Sequence, residues 1–299
     1  MHSETGQLNP SPPFDFDQSL QFLGLFSPTQ DEQTLFGGSL TKAVSIEGSP
    51  VAFRLNSSGT VVAPTLDYTL FSAQPIAAQL RSATLDRISF YLSLDDNLAP
   101  FYEIGRNDPH FAPVMEQLYG YHQVKFLTPF ENACWAVLSQ RTPMPVARKI
   151  KQALVERFGG NVDVEGEAHW AFPEPEQLAG ASERDLLEVV RNERKTDYLQ
   201  GLARAFALVD EAFLRTGSYD EVEAWLRGLK GIGEWSASFI LVRGLGRMER
   251  LPLGEKRLVE AVSHVYGAGK TLTDDAIGRI AERYGEWRGY WAHYIRAAS

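Results

Sequence analysis

The sequence predicts an α+β protein, with a small antiparallel β-sheet domain near the N-terminus followed by an all-helical domain. Two observations carry this. Between Gly38 and Asp67 short β-type runs alternate with turn residues, whereas from Leu98 onward apolar residues recur at helical spacing behind helix-start residues. With 299 residues, 44% of them hydrophobic, the chain can bury a substantial core and divide into more than one unit.

Residues 1–18 hold Pro10, Pro12 and Pro13 among Ser and Asn, and are expected to be flexible. Residues 19–94 read as a small α+β domain. Its expected strands are Ala43-Val44-Ser45-Ile46, Val51-Ala52-Phe53-Arg54-Leu55 and Thr60-Val61-Val62-Ala63, separated by the turn signals Gly48-Ser49-Pro50 and Asn56-Ser57-Ser58-Gly59. Arg87 to Leu92 is expected to add a further strand. After Asp95-Asp96-Asn97, residues 95–299 read as helical throughout. Helices are expected from Leu98 to Arg106, Phe111 to Leu118, Pro129 to Ser139 and Pro145 to Phe158, then in shorter pieces between Pro175 and Leu208. Further helices are expected from Tyr219 to Leu229, Glu234 to Gly244, Gly254 to Tyr266, Thr273 to Tyr284 and Trp287 to Arg296. Many begin at Ser, Thr, Asp or Pro, residues that satisfy or dispense with the free N–H groups of a helix start. No heptads or fixed-period repeats are present, so a solenoid is disfavoured.

Composition removes several function classes. The net charge of −9 argues against a protein that coats nucleic acid by bulk electrostatics, and leaves room for local phosphate contacts through backbone amides and a few cations. A single cysteine, Cys134, excludes an intrachain disulfide, a multi-cysteine zinc site and an iron–sulfur cluster held by four cysteines of this chain. Cys134 sits on an apolar helix face and reads as a buried small hydrophobe. The six histidines show no metal-ligand spacing and are expected at the surface or capped. No run approaches the roughly 18 apolar residues of a membrane span, and Met1 to Phe16 lacks an apolar signal region, so a cytoplasmic protein is expected. Trp287, Tyr290, Trp291 and Tyr294 are expected to pack in the core.

One stretch stands out for chemistry. Apolar residues at helical spacing flank Gly231-Ile232-Gly233, which places the glycines in a tight turn between two helices. Such a turn presents backbone N–H groups at the start of the second helix, where an anion such as phosphate can bind. The next helix, expected from Gly254, carries Glu255 in its first turn. Taken singly, both features have plain structural readings: a glycine turn reverses the chain, and an acid near a helix start complements the helix dipole by a few tenths to about 1 kcal/mol.

The wider pattern is more specific. Leu229-Lys230-Gly231-Ile232-Gly233-Glu234-Trp235-Ser236-Ala237, followed by Glu255 inside Pro252-x-Gly254-Glu255-x-x-Leu258, resembles the helix-hairpin-helix (HhH-GPD) DNA glycosylases. The resemblance is to the bacterial 3-methyladenine DNA glycosylase II type in particular. Asn97-Leu98-x-x-Phe101-Tyr102 with Asp108-Pro109-x-Phe111, Trp135 to Gln140, Arg194-Lys195-x-x-Tyr198-Leu199 and Ala281 to Tyr290 extend it over about residues 90–296. The N-terminal sheet resembles the family's β domain in pattern only.

The resemblance implies a helix-hairpin-helix motif at about 220–244 and a monomeric enzyme of base excision repair. It would act on double-stranded DNA, flipping out a damaged base, an alkylated purine, and hydrolysing its N-glycosidic bond. Backbone amides at Gly231, Ile232, Gly233 and Trp235 would hold a DNA phosphate, with an alkali ion (Na+ or K+) bridged by the carbonyls of Leu229 and Ile232. No other cofactor is expected. Glu255 would be the catalytic carboxylate that stabilises positive charge on the sugar, although the family usually has Asp there. Trp235 stands where bifunctional relatives carry a lysine, so Schiff-base strand cleavage is not expected, and the indole would line the base pocket. Phe239 either shares that wall or packs its helix into the core. Gln140 and Arg141 would fill the gap left by the flipped base, with a plain surface position equally open to Arg141. Arg296 replaces a pocket tryptophan, and a cation there disfavours a positively charged base unless it points away. Glu in place of Asp also motivates an alternative, a damage-binding protein with weak or lost catalysis.

Overall fold

The sheet forms because alternating residues of its strands have cores on both sides. In a computed structural model describing residues 1–251 and 255–299, β1 (His2–Leu8), β2 (Thr34–Phe36), β3 (Ser39–Ile46), β4 (Ser49–Ser57) and β5 (Leu66–Ser72) pair antiparallel in the order β1-β5-β4-β3-β2. Val44, Val51, Phe53, Leu55 and Leu70 pack with Phe16 and Leu23 of α1 (Phe16–Leu25) and with Ile88 and Tyr91 of α2 (Ala78–Leu92). Ala43 and Ala52 face a second, smaller core shared with Val162, Val164 and Ala171. Glu47 and Gly48, both at positive φ (50° and 76°), make the two-residue turn between β3 and β4 that suits the right-handed strand twist. The Glu174 carboxylate clasps this turn, accepting from the N–H of Glu47 at 2.9 Å and of Gly48 at 2.5 Å.

Three expectations for this unit require correction. Residues 1–18 are not a flexible tail: β1 pairs with β5 from His2↔Ser72 to Leu8↔Leu66, and Pro10 and Phe14 are buried behind it. As an edge strand with a distant partner, β1 is half exposed and carries a weak local signal. Arg87 to Leu92 belongs to α2, whose buried Thr84, Ile88, Tyr91 and Leu92 share one helical face. Thr60 to Ala63 forms only an isolated bridge, and the strand that completes the sheet is β5.

Helices dominate from residue 99 onward: α3 (Ala99–Arg106), α4 (Ala112–Gln117), α5 (Pro129–Leu138) and α6 (Met144–Phe158) come first. A hairpin of β6 (Gly160–Val164) and β7 (Glu167–Ala171), absent from the sequence expectation, then packs on β3 and β4. The chain continues with α7 (Pro175–Gly180), α8 (Glu183–Val190), α9 (Glu193–Phe206), α10 (Glu211–Thr216), α11 (Tyr219–Arg227) and α12 (Glu234–Arg243). The last helices are α13 (Lys256–Tyr266), α14 (Asp274–Ala281) and α15 (Arg288–Ala297). Thr128 caps α5 by accepting from the Glu131 N–H at 3.0 Å, and all ten residues of α5 are buried. Around α5, α9 and α12 lies one helical core; around α3, α13 and α15 lies another. Helix α12 touches both, through Ile240 and Leu241 on one side and Val242 on the other. Among the described residues, no helix is long and apolar enough to cross a membrane.

A buried charge cluster locks the sheet unit to the helices. The Lys151 ammonium on α6 is 2.6 Å from Glu131 of α5 and 2.5 Å from Glu32, and Lys42 of β3 reaches Glu32 at 3.3 Å. Burial alone would raise the Glu32 carboxyl, yet Lys151 and Lys42 outweigh it and hold the group below its ordinary range. Removing one partner from such a cluster leaves an uncompensated buried charge. Lys151→Met is therefore expected to lower the unfolding free energy by about 3–5 kcal/mol in urea titration, and adding Glu131→Gln should recover part of the loss.

Candidate active site

The hairpin between α11 and α12 is built from a left-handed glycine. Gly231 has φ +87°, and a Cβ there would meet the Tyr198 ring at 2.4 Å, so both backbone and space require glycine. The Leu229 carbonyl accepts from the Ile232 N–H at 3.1 Å, and Ile232 is buried in the α5/α9/α12 core. Gln140 Nε2 donates to the Gly231 carbonyl at 2.6 Å, so this residue braces the hairpin. That bracing role was not anticipated. Gly233 is the exposed N-cap of α12 and offers no side chain, which leaves the first N–H groups of the helix uncapped by its own residues. Arg141, at the tip of the α5–α6 connection, is exposed and held at φ +49°.

An aromatic wall runs inward from this hairpin. Trp235 is 65% exposed, unusual for the largest apolar side chain, and stacks on Phe239 at 5.4 Å with the planes 6° apart. Phe239 meets Phe126 edge-on at 6.1 Å, Phe126 meets Phe26 at 5.6 Å, and Phe26 stacks on Phe22 at 4.8 Å. Phe239 thus packs α12 inward against Phe126 while its other ring contact is the exposed Trp235. Phe22 and Phe26 belong to the N-terminal unit, and nothing local in the sequence connects them to Trp235. Their spacing of four residues places them on one face at the end of α1.

At the inner end of the wall lies a charged cluster. The Arg243 guanidinium, from the last turn of α12, sits over the rings of Phe22 and Phe26 at 4.9 and 5.4 Å. Glu255 is the N-cap of α13 with extended backbone, yet its side chain makes no capping hydrogen bond. Its Oε2 instead lies 3.0 Å from Arg296 Nη1 on the last turn of α15, with the two side chains 29% and 30% exposed. Arg296 therefore points at the candidate acid, whose side chain is paired with α15 and makes no hydrogen bond to its own helix end. Burial pushes the Arg243 guanidinium down to about 10, with Arg296 adding to that effect and Glu255 opposing it. Pro252, Leu253 and Gly254, which carry part of the Glu255 motif and the expected start of its helix, lie outside the described residues.

The expectation for the histidines is a surface or capped position; His122 is buried with both ring nitrogens bonded to carbonyls, whereas His293, one turn into α15 from the pair, is buried with its Nε2 unpartnered among the described residues. Burial, then the charges of Arg243 and Arg296, hold its imidazole well below the ordinary range, so it is neutral at pH 7. Tyr121 packs beside it at 5.0 Å. Arg243 Nη1, His293 Nε2 and the Tyr121 hydroxyl are buried and find no hydrogen-bond partner among the described residues. Among the described residues no group of three or more His, Cys, Asp or Glu is arranged to hold a metal ion. The arrangement offers one half-exposed carboxylate, two guanidinium groups, an aromatic wall and an uncapped helix start.

Comparison with known proteins bears on this arrangement. The model of the HhH-GPD superfamily base excision DNA repair proteins matches residues 134–286. The DNA-3-methyladenine glycosylase of Bacillus subtilis is 28% identical over 229 residues, covering 76% of this chain and 75% of that protein. The DNA-3-methyladenine glycosylase 2 of Escherichia coli is 26% identical over 161 residues, 54% of either protein. The solved structure of a 3-methyladenine DNA glycosylase from Archaeoglobus fulgidus shares the fold, with a TM-score of 0.77 and 21% identity over 97% of this chain and 96% of that one.

The hairpin geometry separates its two glycines. Gly231→Ala is expected to lower stability in denaturant titration by about 1–3 kcal/mol, the range for a side chain held in a strained backbone region. Gly233→Ala, with φ −90° and open space around the added methyl, should unfold close to the wild-type midpoint.

Proposed function

The chain belongs to the HhH-GPD superfamily of base excision DNA repair proteins, and we propose that it is a monofunctional DNA glycosylase acting as a monomer. It hydrolyses the N-glycosidic bond of a damaged base, an alkylated purine, flipped out of double-stranded DNA. The observation that carries this reading is Glu255, a carboxylate at a helix start that makes no capping bond to its own helix and faces Arg296 with 29% of its side chain exposed.

A base within the duplex stack hides its glycosidic bond, so the nucleotide must first be extruded. The uncapped start of α12, with amides of Gly231, Gly233 and Trp235, suits a phosphate next to that nucleotide, whereas the expected Ile232 amide is taken up by the Leu229 carbonyl within the turn. Exposed Arg141, on a strained loop tip, suits the gap left in the stack, and Gln140 supports the hairpin from behind. The exposed Trp235–Phe239 stack offers a face to the flipped base. Carbonyl oxygens of Leu229 and Ile232 are neutral hard donors, which fits a monovalent alkali ion; the Leu229 oxygen keeps a second lone pair beyond its one hydrogen bond within the turn. Such an ion would add positive charge beside the phosphate.

As the base departs with the bonding electrons, positive charge grows on the sugar. A carboxylate beneath C1′ stabilises that charge and orients the water that adds there. Glu255 has the reach, with one methylene more than Asp. Trp235 has no amine, so no covalent sugar adduct and no strand cleavage by that route follow.

Incubation with randomly methylated duplex DNA tests the proposal. Free methylated purines should appear by mass spectrometry, leaving abasic strands that stay intact until alkali is added. No release from this DNA or from a duplex with an uncharged alkylated purine, together with tight binding to abasic-site DNA, would instead identify a damage-binding protein. Trp235→Ala should lower kcat/KM by about 10- to 100-fold, in line with base–aromatic stacking of roughly 1–3 kcal/mol.

A further inference from the structure

Resting on the glycosylase reading and narrowing its substrate class, we propose that Arg296 makes this site selective for damaged bases that are uncharged before excision, by acting on the leaving base. Arg296 Nη1 lies 3.0 Å from the Glu255 carboxylate, both side chains are about 30% exposed, and a second guanidinium, Arg243, is buried near enough to feel the charge of both. His293, packed beside Tyr121, is neutral and adds no charge. These groups sum to one negative and two positive charges around the carboxylate proposed to face the sugar.

The two classes of damaged purine need opposite things from such a site. A purine alkylated on N3 or N7 is a cation, and heterolysis of its C1′–N bond puts both electrons on the ring and releases a neutral molecule. It needs no cation near the leaving nitrogen, and two guanidinium groups repel it. A cyclic alkyl adduct such as ethenoadenine is neutral and departs as an anion. For that base a positioned N–H cation stabilises charge that develops only in the transition state. Arg296 is suited to this because its guanidinium stays protonated and its contact with Glu255 is made through Nη1, leaving further N–H donors on the same planar group.

The atoms balance without a further reactant. The C1′–N bond breaks with its electrons on the base, the oxygen of one water bonds C1′, and one proton of that water ends on the base anion by way of Glu255 or solvent. The products are a neutral free base and an abasic sugar. Arg296 remains charged throughout and donates only hydrogen bonds.

Single-turnover excision from two otherwise identical duplexes, one with ethenoadenine and one with 7-methylguanine, tests this with the wild-type chain, Arg296→Gln and Arg296→Lys. Arg296→Gln should slow ethenoadenine release by about 100-fold, the effect of removing one charge-stabilising donor, and should speed 7-methylguanine release. Arg296→Lys should recover part of the ethenoadenine rate. Binding of abasic-site DNA by each variant, measured alongside, reports that it is folded. Equal slowing on both duplexes would assign Arg296 to supporting Glu255 and overturn this inference alone. Release of neither base by the wild-type chain would overturn the glycosylase reading as well.

Discussion

The site depends on how α13 and α15 lie against each other. They run antiparallel, and polar contacts fasten both ends. At one end Tyr266, the last residue of α13, donates to Asp108 at 2.8 Å and accepts from the Trp291 indole at 3.0 Å. Asp108 also accepts from Tyr284 at 3.0 Å and Arg283 at 3.2 Å. Burial alone would raise this carboxyl, but the two tyrosine hydroxyls together with the His110 N–H and Arg283 outweigh it and keep Asp108 below its ordinary range. At the other end Glu255 meets Arg296. Between these points Tyr290, Trp291, Tyr294 and Ile295 are buried, so α15 cannot rotate without opening its core, and Arg296 emerges in the last turn facing the start of α13. A packing constraint thereby sets the charge of the proposed catalytic centre.

The N-terminal unit contributes to the same place. Helix α1 and the residue that caps it supply Phe22 and Phe26, which carry the Arg243 guanidinium and continue the wall that starts at Trp235. Their position follows from how the sheet unit is held: Lys151 on the helical side, itself paired with Glu131, binds Glu32 in the segment after α1, and Lys42 binds it from the sheet. Replacing such a cluster with apolar residues is often neutral in stability, so geometry is the more economical reason for burying charge here. A loosened sheet unit would take two rings and the support of Arg243 away from the site.

Much of this was legible in the sequence because local chemistry dictated it. Gly231 had to be glycine for its left-handed backbone, the helix starts were marked by Thr128, Ser182 and Ser218, and the buried aromatics of α15 showed helical spacing. What stayed hidden depends on partners far away in the chain. Strand β1 alternates polar and small residues and is defined by β5 alone. The six residues from Arg87 to Leu92 are too short a window to separate a strand period from a helical one, and only the preceding turns of α2 show the helix. Gln140 was legible as part of a motif, but its bond to the hairpin carbonyl needed the fold. Arg296 was visible as a departure from the family, whereas its direction, towards Glu255, was not.

The central claim is that Glu255 does chemistry and does not merely help bind DNA. Measuring Glu255→Gln against the wild-type chain for both single-turnover base release and affinity for abasic-site DNA separates the two. The claim predicts a release rate lower by about 100-fold or more with affinity held within a few-fold, since the substituted amide keeps the shape but cannot balance charge on the sugar. Release at the wild-type rate, or a rate that falls only as far as affinity falls, would contradict it.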